Sequence, residues 1–471
     1  MKSVPCILVG LFLAANSLGQ EEPKEQLPER LQRLDRNADG QLSRDEIPEA
    51  LVPYFTRRAV DADGDGIITS AEASRLNFPR GNGRAGGSET GGGTKVVSNQ
   101  EAIRPHGEEA LSAELDLGVL GELDAILQGH VDAKQVSGVI GLVHRNGVRG
   151  YFETFGWQKI QEKVPMPKDA IFRLKSMSKP VVAVGALILY EDGAFTLDEP
   201  ISKHCPEWAE PMVLEDDGQS VPARAEITPR MLMSHSSGLY YQLPGKPSFS
   251  GMPPKDEDTD LEAYSRALAK QPLLFHPGEG YRYGTSIDVL GRYLEAVSGK
   301  PLDVLLRERI FDPLGMTDTD FWVPESKRDR LAELYRRAPS GGLAPAFERF
   351  PPTRPTKLFM GGAGLVSTTV DYERFCRMIL RGGEVDGVRI LNAQTVELMF
   401  QNHLKAGLGQ TYGLGGAVDG QGGYSWGGAN GTKFKIDRRN DLIAIFMVQT
   451  QRYQAPTYGD FQRLVTKAVA E

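Results

Sequence analysis

Ile171-Phe172-Arg173-Leu174-Lys175-Ser176-Met177-Ser178-Lys179-Pro180 is the only place in this chain where a serine is followed three residues later by a lysine. The next ten residues, 181–190, are almost wholly apolar before Glu191-Asp192-Gly193 stops them. This pattern predicts a buried helix beginning near Ser176. Pro180 suits the first turn, where backbone N–H groups have no intrahelical partner. Residues three apart share a helix face, which places the Lys179 amine beside the Ser176 hydroxyl. A serine hydroxyl is a poor nucleophile until a neighbouring base takes its proton, and a neutral amine can do so. The helix N-terminus adds partial positive charge that favours an oxyanion. Taken alone, Ser-x-x-Lys is a weak pattern, equally compatible with a capped helix carrying a solvated lysine.

Working outward, the 471 residues exceed one ordinary domain and allow a large core with an accessory unit. The net charge of -8, with no basic stripe, argues against nucleic acid as a partner. Lys2 followed by the short apolar run 7–15, with small Ser17 and Gly19 before Gln20, predicts a secretory signal over residues 1–19. The run is far shorter than the about 20 residues that span a bilayer, so export to a periplasmic or secreted location without a membrane span is expected. Cys6 leaves with the signal. Cys205 and Cys376 read as buried thiols, and the seven scattered histidines offer no His-x-x-x-His pair for a transition metal.

Two acidic stretches follow the signal. Asp35, Asn37, Asp39, Gln41, Ser43 and Glu46 occupy positions 1, 3, 5, 7, 9 and 12 of one twelve-residue loop. Asp61, Asp63, Asp65, Ile67, Thr69 and Glu72 occupy the same positions of a second, with Gly40 and Gly66 at position 6. Oxygen donors at these spacings, the turn-forming glycine and a closing bidentate glutamate suit calcium. The segment 27–78 resembles an EF-hand pair, and Leu42 and Ile68 match the residues through which paired loops meet in that family. Pro48 and Pro53 between the loops keep the intervening helices short, which favours a fixed structural module over a sensor. Seven glycines between residues 81 and 93 mark a flexible linker, assigned to 79–110.

Leucines at helical spacing predict an amphipathic helix over 111–130. Apolar runs 139–143 and 148–155 flank Arg145-Asn146-Gly147, a strong hairpin signal. A second hairpin is predicted from 432–436 and 442–448, and a closing helix over 461–470. Strands at both ends of the domain with helical sequence between them predict an α+β fold: one antiparallel sheet built from both termini, flanked by helices, with a helical subdomain inserted.

Two further stretches, Tyr281-Arg282-Tyr283-Gly284-Thr285-Ser286-Ile287-Asp288-Val289-Leu290-Gly291 and Trp426-Gly427-Gly428-Ala429-Asn430-Gly431-Thr432, follow Ser176-Met177-Ser178-Lys179 in order. Supporting phrases are Leu232-Met233-Ser234-His235-Ser236-Ser237-Gly238-Leu239 and Gly361-Gly362-Ala363-Gly364-Leu365. Over residues 111–471 the chain resembles the serine β-lactamase and penicillin-binding-protein superfamily. The resemblance implies a β-lactamase/transpeptidase-like fold in which Ser176 is acylated, Lys179 shares its proton, and Tyr283 acts as base and then acid, with Tyr281 as the rival tyrosine. It also implies an oxyanion hole from the N–H groups of Ser176 and Ala429. The third motif is usually Lys-Thr-Gly; here Trp426 stands in place of the cation, and Thr285 replaces an asparagine of the second motif. Both departures resemble the family VIII carboxylesterases. Gly427 and Gly428 would permit close approach of a substrate.

The expectation is therefore an exported, monomeric serine hydrolase acting on small carboxylic esters, with calcium in the N-terminal module. The alternatives are a β-lactamase or D-alanyl-D-alanine peptidase of the same fold, or a non-catalytic calcium-dependent binding protein. His235 beside Ser236 suggests a triad, but no strand-elbow-helix context accompanies it, so His235 reads as structural.

Overall fold

The computed structural model describes residues 41–43, 106–242, 258–339 and 341–469. The signal and the linker up to residue 105 lie outside the described residues, as do the calcium-loop residues Asp35, Asn37, Asp39, Glu46, Asp61, Asp63, Asp65, Ile67 and Glu72. Gln41 is exposed, and Leu42 beside it is buried. The chain divides into two compact units, Met1–Val96 and Val97–Glu471; the remaining description concerns the second.

Its main elements, in chain order, are α1 (Leu117–Asp132), β1 (Gly138–Arg145), β2 (Val148–Lys159), β3 (Val164–Pro165) and β4 (Ile171–Arg173). After a 3-10 turn (Lys175–Met177) come α2 (Ser178–Glu191), α3 (Leu261–Ala269), α4 (Ser286–Ser298), β5 (Val366–Thr368) and α5 (Thr369–Leu380). The chain closes with β6 (Ala417–Val418), β7 (Gly423–Gly427), β8 (Lys433–Asp437), β9 (Leu442–Met447) and α6 (Thr457–Val469). Among the described residues the largest sheet has seven antiparallel strands in the order β6-β7-β8-β9-β1-β2-β3.

Both hairpins form as the sequence predicts. Asn146 and Gly147 take φ of +52° and +82°, the pair of positive values that a tight two-residue turn needs to match strand twist. The two hairpins join side by side, Ile140 opposite Met447, so the sheet is indeed built from both ends of the domain. Both of its faces are covered. Ile140, Leu142, Phe434, Ile436, Ile443 and Ile445 look toward α2, α4 and α5. Val139, Val143, Tyr151, Phe446 and Val448 look toward α1 and α6. Alternate strand residues therefore serve two cores, which is why the central strand reads as an unbroken apolar run.

Helix boundaries shift for identifiable reasons. The first long helix begins at Leu117, because the Asp116 carboxylate caps it by accepting the Val119 N–H at 2.7 Å. Leu111, counted in the predicted apolar stripe, is exposed on a short preceding helix, Glu108–Ser112. Residues from 106 onward, read as linker, already pack on the domain: His106 pairs with buried Asp124 at 3.0 Å, and Ala110 is buried. The helix expected from Ser176 becomes regular only at Ser178. Cys205 and Cys376 are free, buried thiols, and burial pushes the Cys205 thiol up to about 12. No helix of the described residues is long and apolar enough to cross a membrane.

Candidate active site

The turn carrying Ser176 joins β4 to α2 and is held against its own backbone preference. Lys175 adopts φ +51°, a left-handed conformation that costs a non-glycine residue about 1–3 kcal/mol. Neighbouring segments fix it there. Ser178 Oγ donates to the Lys175 carbonyl (2.7 Å) and accepts the Leu365 N–H (3.0 Å). Thr432 Oγ1 donates to the Leu174 carbonyl (2.8 Å), and Tyr372 Oη to that of Met177 (3.0 Å). Glu348 bridges Arg173 (2.6 Å) and Lys175 (3.1 Å), so the two cations flanking Leu174 share one carboxylate. A side chain on so constrained a turn needs little reorganisation to keep its place.

Lys179 is fully buried at the base of the group. Its Nζ donates to Ser176 Oγ (3.2 Å), to Tyr241 Oη (3.4 Å) and to the Gly362 carbonyl (2.6 Å). The ammonium thus has a partner for each of its protons, as a buried charge requires. Gly362 is itself pinned, its N–H donating to the buried Asp288 carboxylate at 2.8 Å. Tyr283 presents its ring face to the lysine, 4.7 Å from Nζ, and its Oη accepts a hydrogen bond from Trp426 Nε1 at 3.3 Å. Trp426 is therefore more than an apolar wall, because its indole N–H holds the phenol oxygen in place. Tyr281, the rival tyrosine, packs against Tyr412 instead, with ring centroids 5.5 Å apart. Burial pushes its phenol up to about 12.

Tyr241 was not singled out from sequence. It follows the Ser-His-Ser-Ser-Gly-Leu phrase, and that adjacency was the available signal. Burial and then the Asp288 carboxylate raise its phenol well above the ordinary range, keeping it protonated. The Gly362 carbonyl could not be read from side-chain types at all.

The third motif meets the Ser176 turn edge-on. A Cβ on Gly428 would lie 2.1 Å from the Leu174 carbonyl oxygen, so glycine is required for the end of strand β7 to reach that turn. Gly427 likewise leaves room for Lys433, its cross-strand partner. Lys433 does not replace the missing cation. It shares the face of Gly427, opposite that of Trp426, and its Nζ lies 5.7 Å from the Tyr458 ring. Ala429 is exposed at the end of β7, its carbonyl accepting the Tyr453 N–H at 3.1 Å. Thr285 is fully buried where α4 begins and lines a void of about 10 Å³ with Leu239, Tyr240, Leu268, Gln271 and Pro272. Ser236 is buried too, its Oγ 2.9 Å from Ser234 Oγ. Among the described residues no group of three or more His, Cys, Asp or Glu could hold a metal ion.

Comparison with known proteins gives this geometry a context. The Beta-lactamase family model matches residues 123–466. Protein Rv1367c of Mycobacterium tuberculosis is 32% identical over 351 residues, covering 68% of this chain and 87% of that protein. Lovastatin esterase of Penicillium rubens is 31% identical over 374 residues, covering 69% of this chain and 92% of its own. Among solved structures, EstCE1, described as a hydrolase with promiscuous acyltransferase activity, superposes with a TM-score of 0.64 at 27% identity over 75% of this chain and 98% of that one. The match runs through both strand-bearing ends of the domain and the helices between them, and the chain accordingly belongs to the beta-lactamase family, as a serine hydrolase.

Proposed function

We propose that this protein cleaves carboxylic esters through an acyl-enzyme on Ser176. The observation that carries this reading is the group around Lys179: a fully buried amine 3.2 Å from Ser176 Oγ, under the ring of a tyrosine whose hydroxyl is bonded by an indole rather than by a second cation. In the proposed cycle Ser176 Oγ attacks the ester carbonyl carbon, and its proton passes to Tyr283, acting as general base beside Lys179. The developing oxyanion is met by the N–H groups of Ser176 and Ala429. Tyr283 then returns the proton to the departing alkoxide, and the acyl group stays on Ser176. Water attacks the acyl carbon with Tyr283 again as base, releasing the acid and restoring the hydroxyl. An alcohol in place of water gives acyl transfer, and the promiscuous acyltransferase activity of EstCE1 supports that extension.

Trp426 decides the substrate class in this reading. A β-lactam or peptide brings a carboxylate that a third-motif lysine would pair, and losing that pair in a partly dry cleft costs a few kcal/mol, roughly 10²-fold in binding. The indole face suits an uncharged acyl chain or aryl alcohol instead. Purified enzyme assayed against p-nitrophenyl esters of graded acyl length and against a chromogenic cephalosporin is expected to favour a short ester by at least about 10²-fold in kcat/KM. A cephalosporin turned over with higher kcat/KM than every ester would overturn the assignment.

The N-terminal segment carries a second proposal, supported by its two full calcium-loop patterns: export under the signal, and one calcium ion in each loop with an affinity of about 10⁻⁴ to 10⁻³ M. Binding to the folded state only raises its stability by linkage. Calorimetric titration of the full chain is expected to show two sites in that range, each lost with its own closing residue in Glu46→Gln and Glu72→Gln. Absence of heat up to 10⁻² M would remove calcium from the account.

A further inference from the structure

Tyr283 sits in an irregular stretch immediately before α4, where no strand ladder or helix fixes its backbone. His235, forty-eight positions earlier, grips that stretch on both sides. Its backbone carbonyl accepts the Arg282 N–H at 3.0 Å, and its ring Nδ1 accepts the Gly284 N–H at 3.4 Å. Its imidazole also packs on the phenol, with ring centroids 4.7 Å apart. Gly284 is buried, with a Cβ at that position 2.4 Å from the Tyr240 backbone, so its N–H needs an acceptor. His235 takes φ +56°, a left-handed conformation that the fold retains at a cost of about 1–3 kcal/mol. The segment around it is anchored independently. Ser236 N–H donates to the Met231 carbonyl (3.0 Å), and Ser237 Oγ meets Ser286 Oγ of α4 at 3.0 Å.

An acid–base role does not fit these contacts. With Nδ1 accepting, the single proton of the neutral ring lies on Nε2, which is buried and without a hydrogen-bond partner. Burial and the Lys179 charge hold the imidazole well below its ordinary titration range, so it stays neutral. Its serine neighbour, Ser236, is engaged with Ser234.

We infer that His235 is a positioning residue for Tyr283, its Nδ1 acceptor and left-handed backbone fixing Arg282-Tyr283-Gly284 so that the phenol stays over Lys179. The inference rests on Tyr283 being the proton-transfer group, and the experiment separates the two. His235→Asn supplies an amide oxygen as acceptor and tolerates positive φ, whereas His235→Leu keeps bulk without an acceptor. The full chain carrying His235→Asn is expected to hold kcat within about threefold of the parent, with an unchanged pH–rate profile. His235→Leu is expected to lose about 10²-fold in kcat with KM changed less than about threefold, the signature of a misplaced reacting group. In a Tyr283→Phe background, where no phenol remains to be positioned, His235→Leu should cost less than about threefold more. Melting transitions check folding, and His235→Met replaces the leucine variant if that one does not fold. Equal losses from His235→Leu in both backgrounds would overturn the inference while leaving Tyr283 in its role. So would a His235→Asn enzyme as impaired as His235→Leu. Full activity in Tyr283→Phe alone would remove Tyr283 and His235 together.

Discussion

Ser176→Ala is expected to leave a folded protein with a kcat at least about 10³-fold below the parent, and with no covalent adduct after exposure to a phosphonate ester. The expectation follows from the division of labour at the site. In the proposed cycle the oxyanion donors are backbone N–H groups, which alanine keeps, so a residual effect on the ester carbonyl is expected to survive. The covalent route does not. Folding should be unaffected, because the hydroxyl contributes one hydrogen bond, to Lys179, and Lys179 retains the Gly362 carbonyl and Tyr241 as acceptors. Intact-protein mass spectrometry checks the adduct. A phosphonylated Ser176→Ala protein, with the label mapped to Ser236, would move the nucleophile to a residue that is buried and bonded to Ser234.

The second large effect separates the two tyrosines at Lys179. Tyr283→Phe is expected to lower kcat by about 10²- to 10⁴-fold, the usual contribution of a positioned acid–base group. Tyr241→Phe should cost less, roughly tenfold, because that phenol is held protonated by burial and the Asp288 carboxylate and serves as a hydrogen-bond partner of the lysine. The contrast is not one of distance alone. Tyr241 is the tyrosine whose hydroxyl bonds Nζ, whereas Tyr283 offers Nζ its ring face and has its oxygen bonded by Trp426. Burial and the Asp288 carboxylate disfavour the Tyr241 phenolate. Steady-state kinetics on a short aryl ester decide the matter. A larger kcat loss in Tyr241→Phe than in Tyr283→Phe would reverse the two assignments, and Trp426→Phe, which removes the indole donor, would then leave kcat unchanged.

The hairpins, the buried helix after Ser176 and the adjacency of Ser176 to Lys179 were all legible from residues close in sequence. Each depends on a local rule: positive φ at Asn146-Gly147, an apolar run of helical length, and the i,i+3 spacing of a helix face. Departures occurred where a contact between distant segments competed with the local pattern. The helix starts late because the strained Lys175 turn is held by Leu365, Thr432 and Tyr372.

The sequence by itself determined the two hairpins, the two-ended sheet and the identity of the Ser-Lys pair, since period, turn chemistry and short spacing are properties of neighbouring residues. Only the tertiary structure decided what surrounds that pair. The Gly362 carbonyl that takes the shortest bond from Lys179 lies 183 positions away, and the Leu174 backbone that makes Gly428 obligatory lies on a different element from it. Tyr241 reaches the amine from 62 positions away. Close approach of backbone to backbone and the choice between two nearby phenols depend on how separate segments pack, and no spacing within one segment encodes that.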